Sequence, residues 1–358
     1  MSTSTPSAPG LPDGRPHPSR PPRRHVLALS LASASAAALA ACGQGSSSAA
    51  SSAASAPGPS QGATGTGAAA TEPAATMEAS ASPTLEELAA TVPGLFRQAA
   101  YEDAQTSKTL PYNIYLPEGY EASGESYPLV LYIADSSLAG QEVTAPLGQY
   151  GALIWAAPSE QARHKAIVVV PAYPEVVLDD HDGYTLTDYV EMSQRLVASL
   201  VEEYPVDRAR VYGTGQSMGC MTVMYLAAQH ADLFTALMLV SGQWDPSQLQ
   251  GLTGQDFWYF AAAGDSRASQ GQEDVRALLD SASVPYASAT WDATWSDEQT
   301  RGAAEELLAQ DQDHLFVSFE EGTVLSANPV SEMEHMASFE PAYKVGAARE
   351  WLMGRRRG

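Results

Sequence analysis

Short apolar runs alternate with longer amphipathic segments along most of the chain after residue 84. A run that is apolar throughout predicts a strand buried on both faces, whereas apolar residues every three or four positions predict a helix with one buried face. Two early extended segments, 95–102 and 110–116, predict an antiparallel pair. The later alternation is typical of a mostly parallel sheet covered by helices. The runs predicted to be strands of that sheet are 128–133, 166–170, 210–213, 236–240, 257–263 and 314–319.

Four longer segments carry apolar residues at helical spacing, at 151–161, 186–204, 218–230 and 339–353. In 186–204, for example, Val190, Leu196 and Leu200 fall near one face. No segment repeats at a fixed period, which argues against a solenoid or a propeller. The pattern therefore predicts one α/β domain over 84–358, with a mostly parallel central sheet flanked by helices.

The N-terminal segment at 1–41 has the organisation of an export signal. Basic residues, among them Arg23 and Arg24, precede an apolar stretch at 26–41, which is shorter than the about 20 residues that a membrane-crossing helix needs. The stretch ends in Leu39-Ala40-Ala41-Cys42-Gly43, which resembles a bacterial lipobox. This resemblance implies removal of residues 1–41, acylation of Cys42 and a protein anchored at the outer face of the cell membrane. The Arg23-Arg24 pair also resembles a twin-arginine signal, so the general and the twin-arginine export routes both stay open.

Composition changes after the export signal. Between Cys42 and residue 83 the chain consists mostly of Ser, Ala, Gly, Thr and Pro. So few large apolar side chains cannot offset the entropy of ordering the backbone, and 42–83 is therefore predicted to be a disordered tether. The formal net charge of −23 argues against nucleic acid as a partner. The two cysteines are Cys42 and Cys220, and acylation of the first leaves no pair for an intrachain disulfide.

The sequence Gly215-Gln216-Ser217-Met218-Gly219 matches G-x-S-x-G between a predicted strand and a predicted helix. In that setting a sharp turn raises the serine hydroxyl above the sheet, and the small glycines leave room for close packing. The start of the helix at Met218 also favours the negative charge of an oxyanion. Ser217 is therefore the predicted nucleophile.

A serine nucleophile needs a histidine base and an acid that orients the imidazole. Both partners are expected to follow the serine along the chain, which favours His335, in the loop between the last strand and the last helix. Asp265 follows the strand predicted at 257–263 and is the preferred acid. Asp245, after the preceding strand, is the alternative.

Two backbone N–H groups are expected to form an oxyanion hole. Met218 supplies one, and Ser136 or Asp135, after the first central strand, supplies the other. Gln216 and Trp244 are candidates for lining a substrate pocket, although Trp244 would serve equally well in the core.

Several further segments carry recognisable motifs, namely Leu-Pro-Tyr-Asn-Ile-Tyr-Leu-Pro at 110–117, Tyr-Pro-Leu-Val at 127–130, Asp-Arg-Ala-Arg-Val-Tyr at 207–212, Glu-His at 334–335, Ser-Phe at 338–339 and Ala-Tyr at 342–343. Together with the Ser217 turn, they resemble the esterase, polyhydroxybutyrate-depolymerase and peptidase-like branch of the α/β-hydrolases, over about 111–352. The resemblance implies the α/β-hydrolase fold, with Ser217, Asp265 and His335 as catalytic triad. Such proteins usually have His-Gly after the first central strand, where this chain has Ala134-Asp135.

These residues lead us to expect hydrolysis of a small or polymeric carboxylic ester through an acyl-enzyme intermediate. This chemistry requires no organic cofactor and no metal, and the acidic run at 179–183 lacks the ligand spacing of a calcium loop. A peptidase or an acyltransferase would use the same three residues, because these enzymes differ only in leaving group or acceptor. A non-catalytic, lipid-anchored binding protein is the alternative outside enzymology. The sequence does not indicate an oligomeric state.

Overall fold

The computed structural model describes residues 82–181 and 183–358. The predicted export signal at 1–41, the predicted acylation site Cys42 and nearly all of the predicted tether at 42–83 lie outside these residues. Within them, no helix is both long and apolar enough to cross a bilayer.

The strands of the described chain form one large sheet and one small hairpin. They are β1 (Arg97–Asp103), β2 (Lys108–Tyr115), β3 (Tyr127–Ile133), β4 (Ile167–Pro171), β5 (Leu178–Asp179), β6 (Thr185–Leu186), β7 (Val206–Gln216), β8 (Ala236–Val240), β9 (Asp256–Ala262), β10 (Ala287–Trp291) and β11 (His314–Phe319). The large sheet has the order β1-β2-β4-β3-β7-β8-β9-β11-β10, and β5 pairs with β6 in the hairpin. Only β1–β2 and β2–β4 are antiparallel in the large sheet, so it is mostly parallel, as predicted.

Helices connect these strands and cover both faces of the sheet. They are α1 (Leu85–Thr91), α2 (Tyr120–Ser123), α3 (Tyr150–Leu153), α4 (Pro158–Arg163), α5 (Asp188–Glu203), α6 (Met218–Gln229), α7 (Ser266–Ala282), α8 (Asp297–Leu308), α9 (Thr323–Ala327), α10 (Glu334–Ala337), α11 (Phe339–Lys344) and α12 (Gly346–Gly354). Most crossovers between parallel strands run through these helices, which is how parallel strands are normally joined. The crossover from β8 to β9 instead contains two short 3-10 turns, Pro246–Gln248 and Gln250–Gly254.

Two hydrophobic cores lie on opposite faces of the sheet. In β3, Val130 and Tyr132 belong to one core, whereas Leu129, Leu131 and Ile133 belong to the other. Successive side chains of a strand point to opposite faces, so a continuous apolar run contributes to both cores at once. This is why the uninterrupted apolar pattern predicts the central strands correctly.

Two predicted helices are interrupted in the structure. The helix predicted at 151–161 breaks at Ala157, whose backbone is extended, and Pro158 then begins α4, because proline suits the first turn of a helix. The helix predicted at 339–353 breaks at Val345, which is also extended, into α11 and α12.

The hydrophobic pattern misses three elements between residues 266 and 308, namely α7, β10 and α8. Strand β10 lies at the edge of the sheet and buries only Ala287 and Trp291 among its five residues. The large apolar residues that α7 buries are Val275 and Leu279. Because so few positions are apolar, these elements carry little periodic signal.

Candidate active site

Ser217 lies at a sharp turn between β7 and α6. Its backbone has φ 52° and ψ −121°, a combination that residues with side chains rarely adopt. A Cβ on Gly219 would overlap the carbonyl oxygen of Ile133, and a Cβ on Gly215 would lie 2.5 Å from the carbonyl carbon of Gly219. Both positions therefore need glycine so that α6 can begin directly against the end of β3. Ser217 itself remains partly exposed.

Three side chains from separate loops meet at this turn. The Oγ atom of Ser217 is hydrogen-bonded to Nε2 of His335 at 2.8 Å. The Nδ1 atom of His335 is hydrogen-bonded to Oδ2 of Asp265 at 2.5 Å. Asp265 follows β9 and His335 follows β11, so all three residues come after the carboxyl ends of parallel strands. The structure thus brings together the three residues that the sequence predicts, in the order needed for a serine, a base and an orienting acid.

Asp265 is buried and caps the N-terminus of α7. Its Oδ1 atom accepts the backbone N–H groups of Arg267 and Ala268, which leaves Oδ2 for His335. Burial by itself raises the pKa of the Asp265 carboxyl, but the hydrogen bond from His335 and those from the backbone outweigh it. The pKa of Asp265 is therefore lowered from its ordinary value, and the group stays ionised at neutral pH.

The other histidines of the described chain are not hydrogen-bonded to Ser217. His230 pairs with Glu191 at 2.9 Å near the end of α6. His314 is buried at the opposite end of the sheet, beside the ring of Phe257, and burial lowers its pKa. The remaining two are His164, beside Glu350, and His181, beside Asp179.

Asp245, the alternative acid, has a different role in the structure. Its carboxylate accepts the backbone N–H of Ser247 at 3.0 Å, the hydroxyl of Ser247 at 2.7 Å and the amide of Gln248 at 2.9 Å. It thereby caps a short 3-10 turn and is not hydrogen-bonded to His335. The geometry therefore favours Asp265.

His335 lies in the short helix α10, within the connection from β11 to α11, and several contacts hold this connection in place. Ser338 Oγ donates to the carbonyl of His335 at 2.8 Å and lies 2.7 Å from Oγ of Ser241. The ring of Phe339 meets the imidazole edge-on, with centroids 5.1 Å apart. The carboxylate of Glu334 accepts backbone N–H groups from two neighbouring loops. The sequence places Glu334 in a motif but gives no sign of this positioning contact.

The groups predicted to form an oxyanion hole lie on both sides of the Ser217 turn. Strand β3 pairs with β7, so the residues after β3 lie beside the start of α6. The backbone N–H groups of Met218, Asp135 and Ser136 have no acceptor within the described residues. The N–H of Ser137, in contrast, is taken by the carboxylate of Asp135. Each residue predicted to contribute to the oxyanion hole therefore has a backbone N–H to which the other described residues offer no acceptor.

The two residues predicted to line a pocket are buried against protein partners. The Gln216 side chain is 3% exposed and donates to Oδ2 of Asp135 at 2.9 Å. Trp244 is 2% exposed, and the ring of Tyr184 covers it with centroids 5.0 Å apart. Neither side chain therefore offers surface to a ligand in this structure. Tyr184 is half exposed, so Tyr184 rather than Trp244 presents an aromatic ring at this part of the surface. The sequence pattern gives no signal for it.

The segment between β4 and α5, which includes the β5–β6 hairpin and which we call the arm, contacts residues that adjoin the candidate site. The backbone N–H of Val177 lies 3.4 Å from the sulfur of Met218. The carboxylate of Asp180 accepts the amide of Gln243 at 2.6 Å and pairs with Arg267. The arm therefore contacts the residue after Ser217 and the second residue after Asp265.

Three side chains of kinds that can bind metal ions lie close together on this arm. One ligand atom each of Asp179, Asp180 and His181 lies within 4.8 Å of the others. The guanidinium of Arg267 pairs with Asp180 and lies 3.2 Å from Nε2 of His181. The positive charge of Arg267 therefore already lies beside these three side chains, and we assign no metal site to them.

Two cavities differ in their relation to Ser217. A small one of about 10 Å³ is lined by Asp135, Tyr173 and Met218, among other residues, and adjoins the free N–H groups. A larger one of about 1460 Å³ lies among α4, α8 and α12, and its lining includes neither Ser217 nor His335. The chemistry of the side chains, rather than cavity size, therefore places the candidate site at Ser217.

Two proteins of known structure resemble this chain to different extents. A thermostable esterase of known structure is 21% identical, with a TM-score of 0.55, and the match covers 74% of this chain and 64% of the esterase, less than two thirds of its length. An S-formylglutathione hydrolase from Agrobacterium tumefaciens is 13% identical, with a TM-score of 0.43, over 73% of this chain and 96% of the other. No curated protein sequence matches the chain. The similarity to the thermostable esterase confirms the predicted α/β-hydrolase fold.

A family model covers the region that holds all of the candidate residues. The model of the Esterase family matches residues 104–344, which is more than half of the chain and includes Ser217, Asp265 and His335. The chain therefore belongs to the Esterase family.

Proposed function

We propose that this protein hydrolyses carboxylic esters through an acyl-enzyme intermediate on Ser217. The observation that carries the proposal is the pair of hydrogen bonds of His335, to Ser217 at 2.8 Å and to Asp265 at 2.5 Å. Membership of the Esterase family supports the type of reaction.

Each residue has a defined part in the proposed reaction. The Ser217 oxygen attacks the ester carbonyl while Nε2 of His335 takes the hydroxyl proton. Asp265 holds the imidazole by its Nδ1–H and stabilises the imidazolium. The N–H of Met218 and that of Asp135 or Ser136 hold the oxyanion of the tetrahedral intermediate.

Loss of the alcohol completes acylation, and hydrolysis of the acyl-enzyme then restores the enzyme. The imidazolium of His335 gives its proton to the leaving alcohol, and the acyl group remains on Ser217. A water molecule then attacks the acyl carbonyl and passes a proton to His335. The carboxylic acid leaves, and the proton returns to the serine oxygen. In this scheme the imidazole of His335 accepts and then donates every proton that is transferred.

A fluorophosphonate probe and a substrate panel test the proposal on the full chain. We expect the probe to label the wild-type protein but not Ser217→Ala. The panel contains p-nitrophenyl esters of increasing acyl length, aryl esters and peptide amides, and we expect ester hydrolysis that Ser217→Ala abolishes. Hydrolysis of amides alone would indicate a peptidase, and acyl transfer to an added alcohol would indicate an acyltransferase. Absence of both labelling and hydrolysis would overturn the proposal in favour of a binding protein.

We further propose that the protein is exported and anchored by an acyl group on Cys42, at the outer face of the cell membrane. The support is the sequence at 39–43 and the basic and apolar segments before it. Expression in a bacterium fed radiolabelled palmitate tests this. We expect label in a membrane-bound protein and none in Cys42→Ser, whereas unlabelled wild-type protein would contradict the anchor.

A further inference from the structure

Asp135 is a carboxylate buried at the end of β3. Only 2% of the residue is exposed, and four donors surround its two oxygens. Oδ1 accepts the backbone N–H of Ser137 at 2.9 Å and the hydroxyl of Ser137 at 2.5 Å. Oδ2 accepts the amide of Gln216 at 2.9 Å and also the amide of Gln149. A neutral carboxyl could not accept from all four donors, because it would itself present one O–H.

These donors come from three different parts of the fold. Ser137 lies in the loop after β3, Gln216 is the last residue of β7, and Gln149 precedes α3. The oxygen of the Gln149 amide accepts the hydroxyl of Tyr132 at 2.8 Å, which fixes that amide in turn. The Asp135 side chain therefore ties its own loop to the strand that ends at the nucleophile.

The position of this link matters for catalysis. Gln216 directly precedes Ser217, and Met218 supplies one free N–H of the proposed oxyanion hole. The second free N–H belongs to Asp135 or Ser136. The hydrogen bond between Asp135 and Gln216 thus joins the two halves of the hole. Donors to an oxyanion must hold distances near 3 Å, and a displacement of about 1 Å can lower a rate about a hundredfold.

A carboxylate so close to the hole would by itself repel a developing oxyanion. The four hydrogen bonds to Asp135 offset this charge while fixing the loop, since each donor places a positive dipole end on a carboxylate oxygen. A negative group in this place is thus compatible with an oxyanion only while its donors remain in position.

We propose that Asp135 is a positioning residue whose carboxylate aligns the two halves of the oxyanion hole by binding Gln216. This inference rests on the proposed function, because an oxyanion hole has meaning only for an acyl-transfer reaction.

The substitution Asp135→Asn tests the proposal without removing the turn. The Asn oxygen can still accept both Ser137 donors, and asparagine is a good cap for such turns. Its NH2 group, however, would face the NH2 groups of Gln216 and Gln149, so the link to the nucleophile strand is lost. We expect kcat to fall about a hundredfold while KM changes less than about threefold. Rates are divided by the number of active sites titrated with a fluorophosphonate, so misfolded protein does not count.

Two further measurements separate positioning from a general structural effect. A trifluoromethyl ketone forms a tetrahedral adduct with a serine and needs the oxyanion hole, so its affinity should fall by the same factor as kcat. The double variant Asp135→Asn with Gln216→Glu restores a donor–acceptor pair with exchanged partners. We expect its kcat to exceed that of both single variants.

The chain offers a matched control in Asp292, one of whose carboxylate oxygens accepts the backbone N–H and the hydroxyl of Thr294, two residues later, at 2.8 and 2.6 Å. Asp292→Asn makes the same change at a similar turn beyond the edge strand β10, away from Ser217, and should leave kcat unchanged. An Asp135→Asn variant with wild-type kcat, or with raised KM and unchanged kcat, would overturn this inference alone. Wild-type protein that is not labelled by the fluorophosphonate and hydrolyses no ester would overturn the proposed function itself.

Discussion

The carboxylate of Glu334 accepts the backbone N–H of Gly264 at 2.8 Å, and so ties the residue before His335 to the residue before Asp265. The other oxygen of Glu334 accepts the backbone N–H of Gly322 at 2.5 Å. A Cβ on Gly264 would overlap the carboxyl group, so the contact requires glycine there. One carboxylate thus joins the loop of the proposed base to the loop of the proposed acid.

Replacing this carboxylate should impair catalysis without changing any residue of the triad. In Glu334→Gln, one oxygen can still accept an N–H, but the NH2 group faces the other N–H. The two loops then lose their common partner, and we expect kcat to fall about tenfold to a hundredfold, with KM nearly unchanged. Steady-state kinetics with p-nitrophenyl esters measures this. Glu332→Gln changes an exposed carboxylate two residues away and should behave as wild type. Equal kcat values for both variants would rule out the positioning role.

The identity of the acid can be decided by two matched substitutions. Asp265→Asn removes the carboxylate that holds Nδ1 of His335 and favours the wrong tautomer of the imidazole, so kcat should fall about ten-thousandfold. Asp245→Asn leaves the hydrogen bonds of His335 in place and should have little effect. Burst and steady-state rates of ester hydrolysis provide the comparison. A large loss in Asp245→Asn with a small one in Asp265→Asn would reverse the assignment.

The central part of the fold and the residues of the proposed triad could be identified from the sequence because their signals are local. The strand β3 is apolar at every position, and Ser217 stands between two glycines that its turn requires. Asp265 and His335 each follow a strand of the sheet, and carboxyl ends of parallel strands meet at one edge. The positions of these residues along the chain are therefore enough to bring them together.

The contacts that hold these residues in place could not be predicted in the same way. Glu334 and Gly264 lie far apart in the sequence, and their bond depends on how two loops pass each other. Gln216 looks like a pocket residue because it lies next to Ser217, yet its side chain turns inward to Asp135. The direction of a side chain at a loop depends on tertiary packing, which periodicity does not record.

Stability should depend on pH through Asp103, at the end of β1. Its carboxylate receives both arms of the Arg195 guanidinium, at 2.7 and 2.9 Å, and two hydrogen bonds from Thr106. The hydrogen bonds from Arg195 outweigh the effect of burial, and those from Thr106 add to them, so the pKa of Asp103 lies well below its usual range. A lowered pKa in the folded state stabilises the protein at pH values above the pKa of the unfolded chain, which is about 3.9. This stabilisation is lost as the pH falls below that value.

Thermal unfolding of Asp103→Asn at a series of pH values checks this expectation. The variant should melt at a lower temperature than wild type at pH 7, because Arg195 loses its charged partner. The difference should shrink as the pH falls below about 3.9, because the unfolded wild-type chain then binds a proton at Asp103 that the folded protein does not. Glu102→Gln, one residue earlier on an exposed position, should not show this pattern. A difference that stays constant with pH would exclude Asp103 as the titrating group.

We expect the backbone conformation of Ser217, the proposed nucleophile, to be strained and therefore to lower the stability of the folded protein. Its φ of 52° is unfavourable for any residue with a Cβ, whereas glycine adopts positive φ readily. Ser217→Ala keeps the Cβ and therefore the strain, while Ser217→Gly removes it. We expect both variants to lose fluorophosphonate labelling, and the glycine variant to be more stable than the alanine variant by about 1 kcal/mol. Urea denaturation at equal m values measures the difference between them. An alanine variant more stable than the glycine variant would mean that the gain in flexibility of the unfolded chain outweighs the strain at this turn.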